Sequence, residues 1–136
     1  MKNINLNSDI GEGFGVYDIG NDTEMLKIVN SANIACGFHA GDPNVMDRVV
    51  KQSIKNGVSI GAHPGFNDLW GFGRRQIHMS SDEIEASVAY QIGALQAISA
   101  TNNAIVTHVK PHGALNNMSS LDPAIATAIA KGANLV

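Results

Sequence analysis

Cysteine is almost absent from this sequence, since Cys36 is the single thiol among 136 residues. One thiol cannot form a disulfide within the chain, which excludes a disulfide-stabilised secreted domain and favours a reducing, cytoplasmic location. The sequence also lacks an apolar run long enough to cross a bilayer, and the residues after Met1 lack the apolar region of a signal peptide. We therefore expect no membrane partner.

Positive charge is scarce as well. Nine Lys and Arg residues are outnumbered by twelve Asp and Glu residues, and the net charge is −3 at pH 7. This balance gives no basic surface, so we expect no nucleic-acid partner. Hydrophobic residues make up 44% of the chain. At this length they can form one core, and we predict a single domain over residues 1–136.

Several common motifs are missing. The chain has no Gly-x-x-x-x-Gly-Lys-Ser/Thr phosphate loop, no Gly-x-Gly-x-x-Gly turn and no Gly-x-Ser-x-Gly nucleophile elbow. The glycine-rich run over residues 11–15 fits none of these spacings. A serine hydrolase of the elbow type is therefore disfavoured.

The sequence does contain a recurring transition from strand to helix. In its clearest example a buried apolar strand stops at Gly37, His39 follows, and Asp42-Pro43 begins a helix. The predicted strands are residues 3–7, 33–36, 58–62, 104–109 and 133–136. The predicted helices begin near Asn21, at Pro43, at Ser80 and at Asp122, and the last three end near Asn56, Asn102 and Lys131. Asn21 with Glu24 and Ser80 with Glu83 form predicted capping boxes, and Gly57 and Gly132 are predicted helix ends.

Alternating strands and helices predict an α/β fold with a parallel sheet and right-handed crossovers. The fifth predicted strand has only begun at Val136. We therefore expect roughly half of a β/α barrel, truncated at the C-terminus, with a complete small open sheet as the alternative. A half barrel leaves a sheet edge with unpaired N–H and C=O groups, so a homodimer is possible.

Polar residues stand where the predicted strands end: Asp9, His39, His63 and His112, one after each of the first four strands. The carboxyl ends of parallel strands carry the active site in barrels and open sheets, so these four side chains should converge on one hollow. A carboxylate with imidazoles suits Zn, Mn, Co or Fe. The same groups also suit general acid–base catalysis without a metal.

Further polar residues lie close by, and each has a simpler alternative. Asp42 is a natural helix cap, and Glu12 can be a solvated loop carboxylate. Arg74 and Arg75 either form an exposed pair or bind a carboxylate or phosphate. Lys110 follows a strand and should need an anionic partner, from the protein or from a substrate.

Four segments carry a family resemblance: Asn5–Gly15 (NLNSDIGEGFG), Ala32–Pro43 (ANIACGFHAGDP), Gly61–Pro64 (GAHP) with Gly71–Arg75 (GFGRR), and Val109–Leu115 (VKPHGAL). In this order they resemble the LamB/YcsF family, which provides the A subunit of the prokaryotic 5-oxoprolinase. The resemblance covers the whole chain but only about the first half of a family member. Ser8 and Asn116 stand where the family pattern has Cys and Tyr.

The resemblance implies a β/α barrel of the glycoside hydrolase/deacetylase type. It also implies an enzyme subunit that, with two partner subunits and ATP, hydrolyses 5-oxo-L-proline to L-glutamate. Related deacetylases hold a metal with one Asp and two His. Asp9, His39 and His63 are the matching candidates here, with His112 as a fourth.

We accordingly expect Asp9, Glu12, His39, His63 and His112 to be catalytic, with Asp9 or Glu12 as the base. The expected substrate-binding residues are Asn7, Asp42, Arg74 and Lys110. Two alternatives remain: a metal-dependent amide hydrolase or deacetylase that needs no ATP, and an inactive truncated fragment or partner-binding module.

Overall fold

The structure, a computed structural model, describes residues 4–136. Its elements in chain order are β1 (Asn7–Ile10), α1 (Asp22–Met25), β2 (Ser31–Ala35), α2 (Pro43–Asn56), β3 (Ser59–His63), α3 (Ser81–Thr101), β4 (Val106–Val109), α4 (Gly113–Ser119) and α5 (Pro123–Asn134).

The four strands form one parallel sheet in the order β1-β2-β3-β4. The α/β class and the parallel sheet are thereby confirmed, and the arrangement is that of part of a β/α barrel. The register places Asp9 beside Asn33, Asn33 beside Gly61, and Gly61 beside His108, so one row of residues crosses all four strands. All four carboxyl ends consequently meet at one edge.

Helix α2 has the predicted bounds because both of its ends are encoded locally. The Asp42 carboxylate accepts hydrogen bonds from the N–H groups of Asn44 (2.8 Å) and Val45 (3.0 Å), and Pro43 occupies the first turn. Such a cap contributes about 1 kcal/mol. At the other end Gly57 adopts a left-handed conformation with φ of 68°, which glycine reaches without steric cost.

Helix α3 begins with the predicted capping box. The Ser80 hydroxyl accepts from the Glu83 N–H, and the Glu83 carboxylate accepts from the Ser80 N–H at 2.7 Å. The helix packs against α5 at Gly132, where an added Cβ would lie 2.5 Å from the Glu85 carbonyl oxygen. The prediction that Gly132 ends a helix was therefore wrong, since this glycine permits two helices to approach closely.

Two other local predictions were also wrong, and one helix was missed. Residues 133 and 134 continue α5 instead of starting a fifth strand, and residues 135 and 136 have no regular structure. Helix α1 is a single turn, and Asn21 makes no side-chain capping bond. Helix α4, immediately after His112, was not predicted.

The first strand lies further along the chain than predicted. Residue 3 is outside the described part, residues 4–6 are not in a strand, and β1 comprises Asn7–Ile10. Asp9 is thus within the strand, and its side chain belongs to the row that crosses the sheet. Strand β4 is shorter than predicted, because residues 104 and 105 precede it.

The hydrophobic core lies between the sheet and the helices. Helices α2 and α3 contribute fully buried residues, among them Val49, Val50, Val88 and Leu95, which pack with Ile34 of β2. The other face of the sheet carries polar side chains, which border a hollow of about 320 Å³. Within the described chain, every helix falls short of the length and apolar character needed to cross a bilayer.

Candidate active site and metal centre

Four side chains converge at the carboxyl edge of the sheet. Glu12 follows β1, His39 follows β2, His63 ends β3, and His112 lies between β4 and α4. One ligand atom from each lies within 4.8 Å of the other three. We call these four residues the Glu–His cluster.

A single oxygen of Glu12 faces all three imidazole rings of the Glu–His cluster. Oε1 lies 3.2 Å from His39 Nε2, 3.5 Å from His112 Nδ1 and 3.8 Å from His63 Nε2. The side chains of His39 and His63 are buried, whereas Glu12 is partly open to solvent. The carboxylate therefore lies between the imidazoles and the outside.

Backbone carbonyl oxygens fix the orientation of two of these rings. His63 Nδ1 lies 2.5 Å from the Lys110 carbonyl oxygen, and His112 Nε2 lies 2.8 Å from that of Phe72. A carbonyl oxygen can only accept, so both of these nitrogens must carry the proton. In the neutral rings, His63 Nε2 and His112 Nδ1 then present lone pairs, and they face each other at 3.0 Å.

The third ring, that of His39, stacks on His112 with centroids 3.7 Å apart and planes 4° from parallel. Its Nδ1 is buried and has no hydrogen-bond partner among the described residues. Two glycines make room for the ring. A Cβ at Gly65 would lie 2.8 Å from His39 Nδ1, and one at Gly73 would lie 2.7 Å from His39 Cβ.

Burial favours the neutral forms of His39 and His112. Desolvation lowers the pKa of His39, and burial together with the neighbouring His39 lowers the pKa of His112 to about 4. Neutral imidazole is the form that binds metals. Three imidazoles and a carboxylate are a ligand set found for Zn and other divalent transition metals. In such sites the ring nitrogen of His that does not face the metal typically donates its N–H to a carbonyl or carboxylate oxygen. The Glu–His cluster therefore fits a divalent metal.

Asp9 lies beside the Glu–His cluster. Its carboxylate accepts two hydrogen bonds from Lys110 Nζ, at 2.6 and 2.9 Å, and its Oδ2 lies 3.4 Å from His63 Nε2. Burial alone would raise the pKa of Asp9, but its polar contacts, among them the hydrogen bonds donated by Lys110 and Asn33, keep the pKa well below its usual range. Asp9 is therefore ionised. The four-membered donor group contains Glu12 and not Asp9, so a ligand role for Asp9 stays a prediction.

Two cavities border the Glu–His cluster. One, of about 300 Å³, is lined by Asp9, His63, Arg74, Lys110, His112, Asn116 and Asn117. We call it the cationic cavity. The other, of about 440 Å³, is bordered by Glu12 and His39 and by the apolar side chains Phe14, Tyr17, Ile19, Leu69, Trp70 and Phe72. We call it the apolar cavity.

The structure places the remaining predicted site residues as follows, and their substrate-binding roles stay predictions. Both oxygens of Asp42 accept from backbone N–H groups, including that of Gly15 at 2.7 Å, so Asp42 caps α2 and anchors the loop after β1. Asn7 accepts from Asn33 Nδ2 at 2.9 Å on the polar face of the sheet. Arg74 borders the cationic cavity. Arg75 is bound to the buried Asp68.

Two polar residues next to the site were not singled out from the sequence. Asn33 is buried within β2 and His108 lies within β4, and the two side chains meet at 3.1 Å. The sequence signal that could have indicated Asn33 is an asparagine inside an otherwise apolar strand. The contact itself depends on strand register, which the sequence does not display.

The LamB/YcsF family model matches residues 4–136 of the chain. The A subunit of 5-oxoprolinase from Natranaerobius thermophilus is 58% identical over 135 residues, which are 99% of this chain and 52% of that protein. A protein of the same name from Geobacillus kaustophilus is 59% identical over 131 residues, which are 96% of this chain and 51% of that protein.

A solved structure is similar as well. The crystal structure of a lactam utilization protein from Thermus thermophilus superposes with a TM-score of 0.97 at 45% identity, and the match covers 98% of this chain and 54% of that one. The chain thus spans about half the length of the curated relatives it matches.

Proposed function

The chain belongs to the LamB/YcsF family, and from that premise we propose that it carries the reactive groups of the A subunit of a 5-oxoprolinase. The reaction is the opening of the lactam ring of 5-oxo-L-proline to give L-glutamate. The observation that carries the proposal is the convergence of Glu12, His39, His63 and His112 beside an ionised Asp9. The identity of the substrate is inferred from the names of the relatives.

In this proposal the Glu–His cluster holds a divalent metal. When bound, such a metal polarises a carbonyl oxygen and lowers the pKa of a water molecule. The protein holds His63 and His112 in the metal-binding orientation through the carbonyl groups of Lys110 and Phe72. Outer hydrogen bonds of this kind preserve ligand geometry.

Asp9 acts as the general base. It is ionised, and its Oδ2 faces the Glu–His cluster, so it can accept the proton of a water that attacks the ring carbonyl carbon. A C–O bond forms, the ring C–N bond breaks, and the ring nitrogen takes up a proton to become the amine of glutamate. Asn7 and Asp42 serve this site indirectly, through Asn33 and through the loop at Gly15.

The two cavities divide the substrate between them. The carboxylate of 5-oxoproline binds Lys110 Nζ and the Arg74 guanidinium in the cationic cavity, where charge-assisted hydrogen bonds are available. The ring methylenes contact the wall of the apolar cavity next to Glu12 and His39. In this proposal the lactam carbonyl faces the Glu–His cluster.

ATP and two partner subunits complete the proposal. A five-membered lactam is a stable amide. Transfer of the terminal phosphoryl group of ATP to the lactam oxygen releases ADP and makes the ring carbon more electrophilic. Water then adds to that carbon and the ring C–N bond breaks to give an acyl phosphate, which a second water molecule hydrolyses to glutamate and phosphate. The phosphoryl group would also require cations, and Lys110 and Arg74 supply them. A cytoplasmic location and a homodimer are further parts of the proposal.

His63→Ala in the complete complex with its partner subunits tests this function. Glutamate formation from 5-oxoproline should be lost, because the variant removes one of the four converging donors. His78→Ala is the matched control, since His78 is exposed and lies outside the Glu–His cluster. Undiminished turnover by His63→Ala would overturn the assignment.

A second candidate is an amide hydrolase that needs a metal but no ATP. The four-donor group favours it, because a metal centre can activate water for amide hydrolysis without phosphorylation. Assays with and without ATP separate the two candidates. Ring opening that continues at full rate without ATP selects the second.

A further inference from the structure

We propose that Asn33 and His108 are positioning residues that hold the Asp9 carboxylate in its working orientation through a side-chain relay across the sheet. This inference rests on the proposed role of Asp9 as the base. It adds two residues that do not contact the substrate in this proposal and that act on the reaction through Asp9.

The relay follows the row that crosses the four strands. Asn33 Nδ2 donates to Asp9 Oδ1 at 3.0 Å and to Asn7 Oδ1 at 2.9 Å. His108 Nε2 lies 3.1 Å from Asn33 Oδ1. Because Asp9, Asn33 and His108 occupy aligned positions on β1, β2 and β4, the contacts run perpendicular to the strands.

The direction of every hydrogen bond in the relay is fixed by Asp9. An ionised carboxylate only accepts, so Asn33 must turn its amide nitrogen toward Asp9 and its oxygen toward His108. His108 Nε2 must then be the donor. Rotating the Asn33 amide by half a turn would bring two oxygens together at Asp9, so a single arrangement satisfies all three side chains.

Gly61 allows the relay to pass over β3. It occupies the position in the row between Asn33 and His108, and a Cβ there would overlap the His108 ring. The ring therefore fills the space that any other residue would use for its side chain. At its far edge, His108 Nδ1 lies 2.9 Å from the Thr107 hydroxyl, which steadies the ring.

The relay fixes the rotation of the Asp9 carboxylate about its Cβ–Cγ bond. Asn33 engages Oδ1, and Oδ2 is the oxygen that lies 3.4 Å from His63 Nε2. Lys110 contacts both oxygens and cannot distinguish them. Without Asn33 the carboxylate can turn about its Cβ–Cγ bond, and a misplaced base slows the chemical step while the substrate still binds.

The test uses near-isosteric variants in the complete complex. Asn33→Leu and His108→Phe should each lower kcat by about 10- to 100-fold, as removal of outer hydrogen bonds does, with KM changed less than about threefold. His108→Gln should recover most of kcat, because its amide nitrogen can donate to Asn33. The double variant should be no slower than Asn33→Leu alone, since His108 acts only through Asn33.

Ser31→Ala is the matched control. Ser31 is a buried polar residue on the same face of β2, but its hydroxyl bonds Asn5 and makes no contact with Asp9. Its kcat should stay within about twofold of the parent. Thermal melting of all variants separates the proposed role from a structural one, because a structural role lowers Tm and kcat together and affects Ser31→Ala as well.

Distinct outcomes overturn distinct claims. If Asp9→Asn abolishes turnover but Asn33→Leu does not lower kcat, the relay is refuted and the proposed function stands. If Asp9→Asn is fully active, the role of Asp9 falls and the relay falls with it. Additive effects of Asn33→Leu and His108→Phe, or no recovery with His108→Gln, would refute a path from His108 through Asn33.

Discussion

Nε2 of His63 and Nδ1 of His112 face each other at 3.0 Å, and each ring donates its opposite N–H to a backbone carbonyl. Two lone pairs at this distance repel each other unless a cation lies between or beside them. His112 does not supply a proton near neutral pH, because burial lowers its pKa to about 4. A divalent metal, also in contact with Glu12, is the cation that this arrangement fits.

Gly65 and Gly93 make a matched pair of glycine-to-alanine changes. Gly65→Ala should lower turnover in the complex by at least about 10-fold, because the new Cβ would lie 2.8 Å from His39 Nδ1 and displace a cluster member. Gly93 lies in α3 and its Cβ would contact nothing within 4 Å. Gly93→Ala should keep full activity and raise stability by up to about 1 kcal/mol, since alanine favours helix. Equal activity in both variants would show that His39 tolerates displacement.

Arg74 tests the proposed substrate orientation. Arg74→Ala should raise KM for 5-oxoproline by about 10-fold or more with a smaller change in kcat, because a charge-assisted bond to the carboxylate is made in ground and transition states alike. Arg48→Ala, a change on α2 outside both cavities, should leave both constants unchanged. An unchanged KM in Arg74→Ala would remove Arg74 from the binding site.

The ion pair between Asp68 and Arg75 should make stability depend on pH. Hydrogen bonds from Arg75 lower the pKa of Asp68 to about 2 from its ordinary value of 3.8. A carboxylate whose pKa is lowered in the folded state stabilises that state at pH values above its pKa in the unfolded chain. This stabilisation is lost as the pH falls toward the pKa of the carboxylate in the folded state. Asp68→Asn should therefore be less stable than the parent at pH 5, and the difference should shrink by pH 3. Urea unfolding at both pH values measures it, and a constant difference would contradict the account.

Cys36 should be inert in the folded chain. Burial raises the pKa of its thiol to about 12, and the thiolate is the reactive form. Iodoacetamide at pH 8 should leave the native protein unmodified for far longer than the urea-unfolded chain. Since Cys36 is the single thiol, mass spectrometry reads the result directly. Equal labelling rates in both states would contradict its placement in the core.

Features encoded by neighbouring residues could be predicted from the sequence. Helix α2 is the clearest case, because Asp42, Pro43 and Gly57 specify both of its ends locally. The convergence of His39, His63 and His112 could also be predicted, since parallel strands bring their carboxyl ends to one edge. Long-range packing could not. From the sequence Gly132 resembles a helix end, because its close contact with α3 depends on the tertiary structure. Residues 3–7 alternate like a strand, but the strand begins only at Asn7.

The relay shows the same limit within the site. Asn33 and His108 are 75 positions apart in the chain, and only the register of four strands brings them together. Glu12 was expected among the catalytic residues, but its place in the Glu–His cluster depends on the glycine-rich loop after β1. That loop has no periodic pattern from which its path could be read.

Titration of the metal-free chain with Co²⁺, followed by visible absorption, tests the Glu–His cluster most directly, because the ligand field of bound cobalt reports its donors without any assay of turnover. The parent chain and His78→Ala should each bind a single equivalent. His63→Ala and Glu12→Gln should bind at least about 100-fold more weakly, a larger loss than the removal of an outer hydrogen bond causes. Absence of binding by the parent chain, or unchanged binding by His63→Ala, would contradict the claim that these four residues form a metal centre.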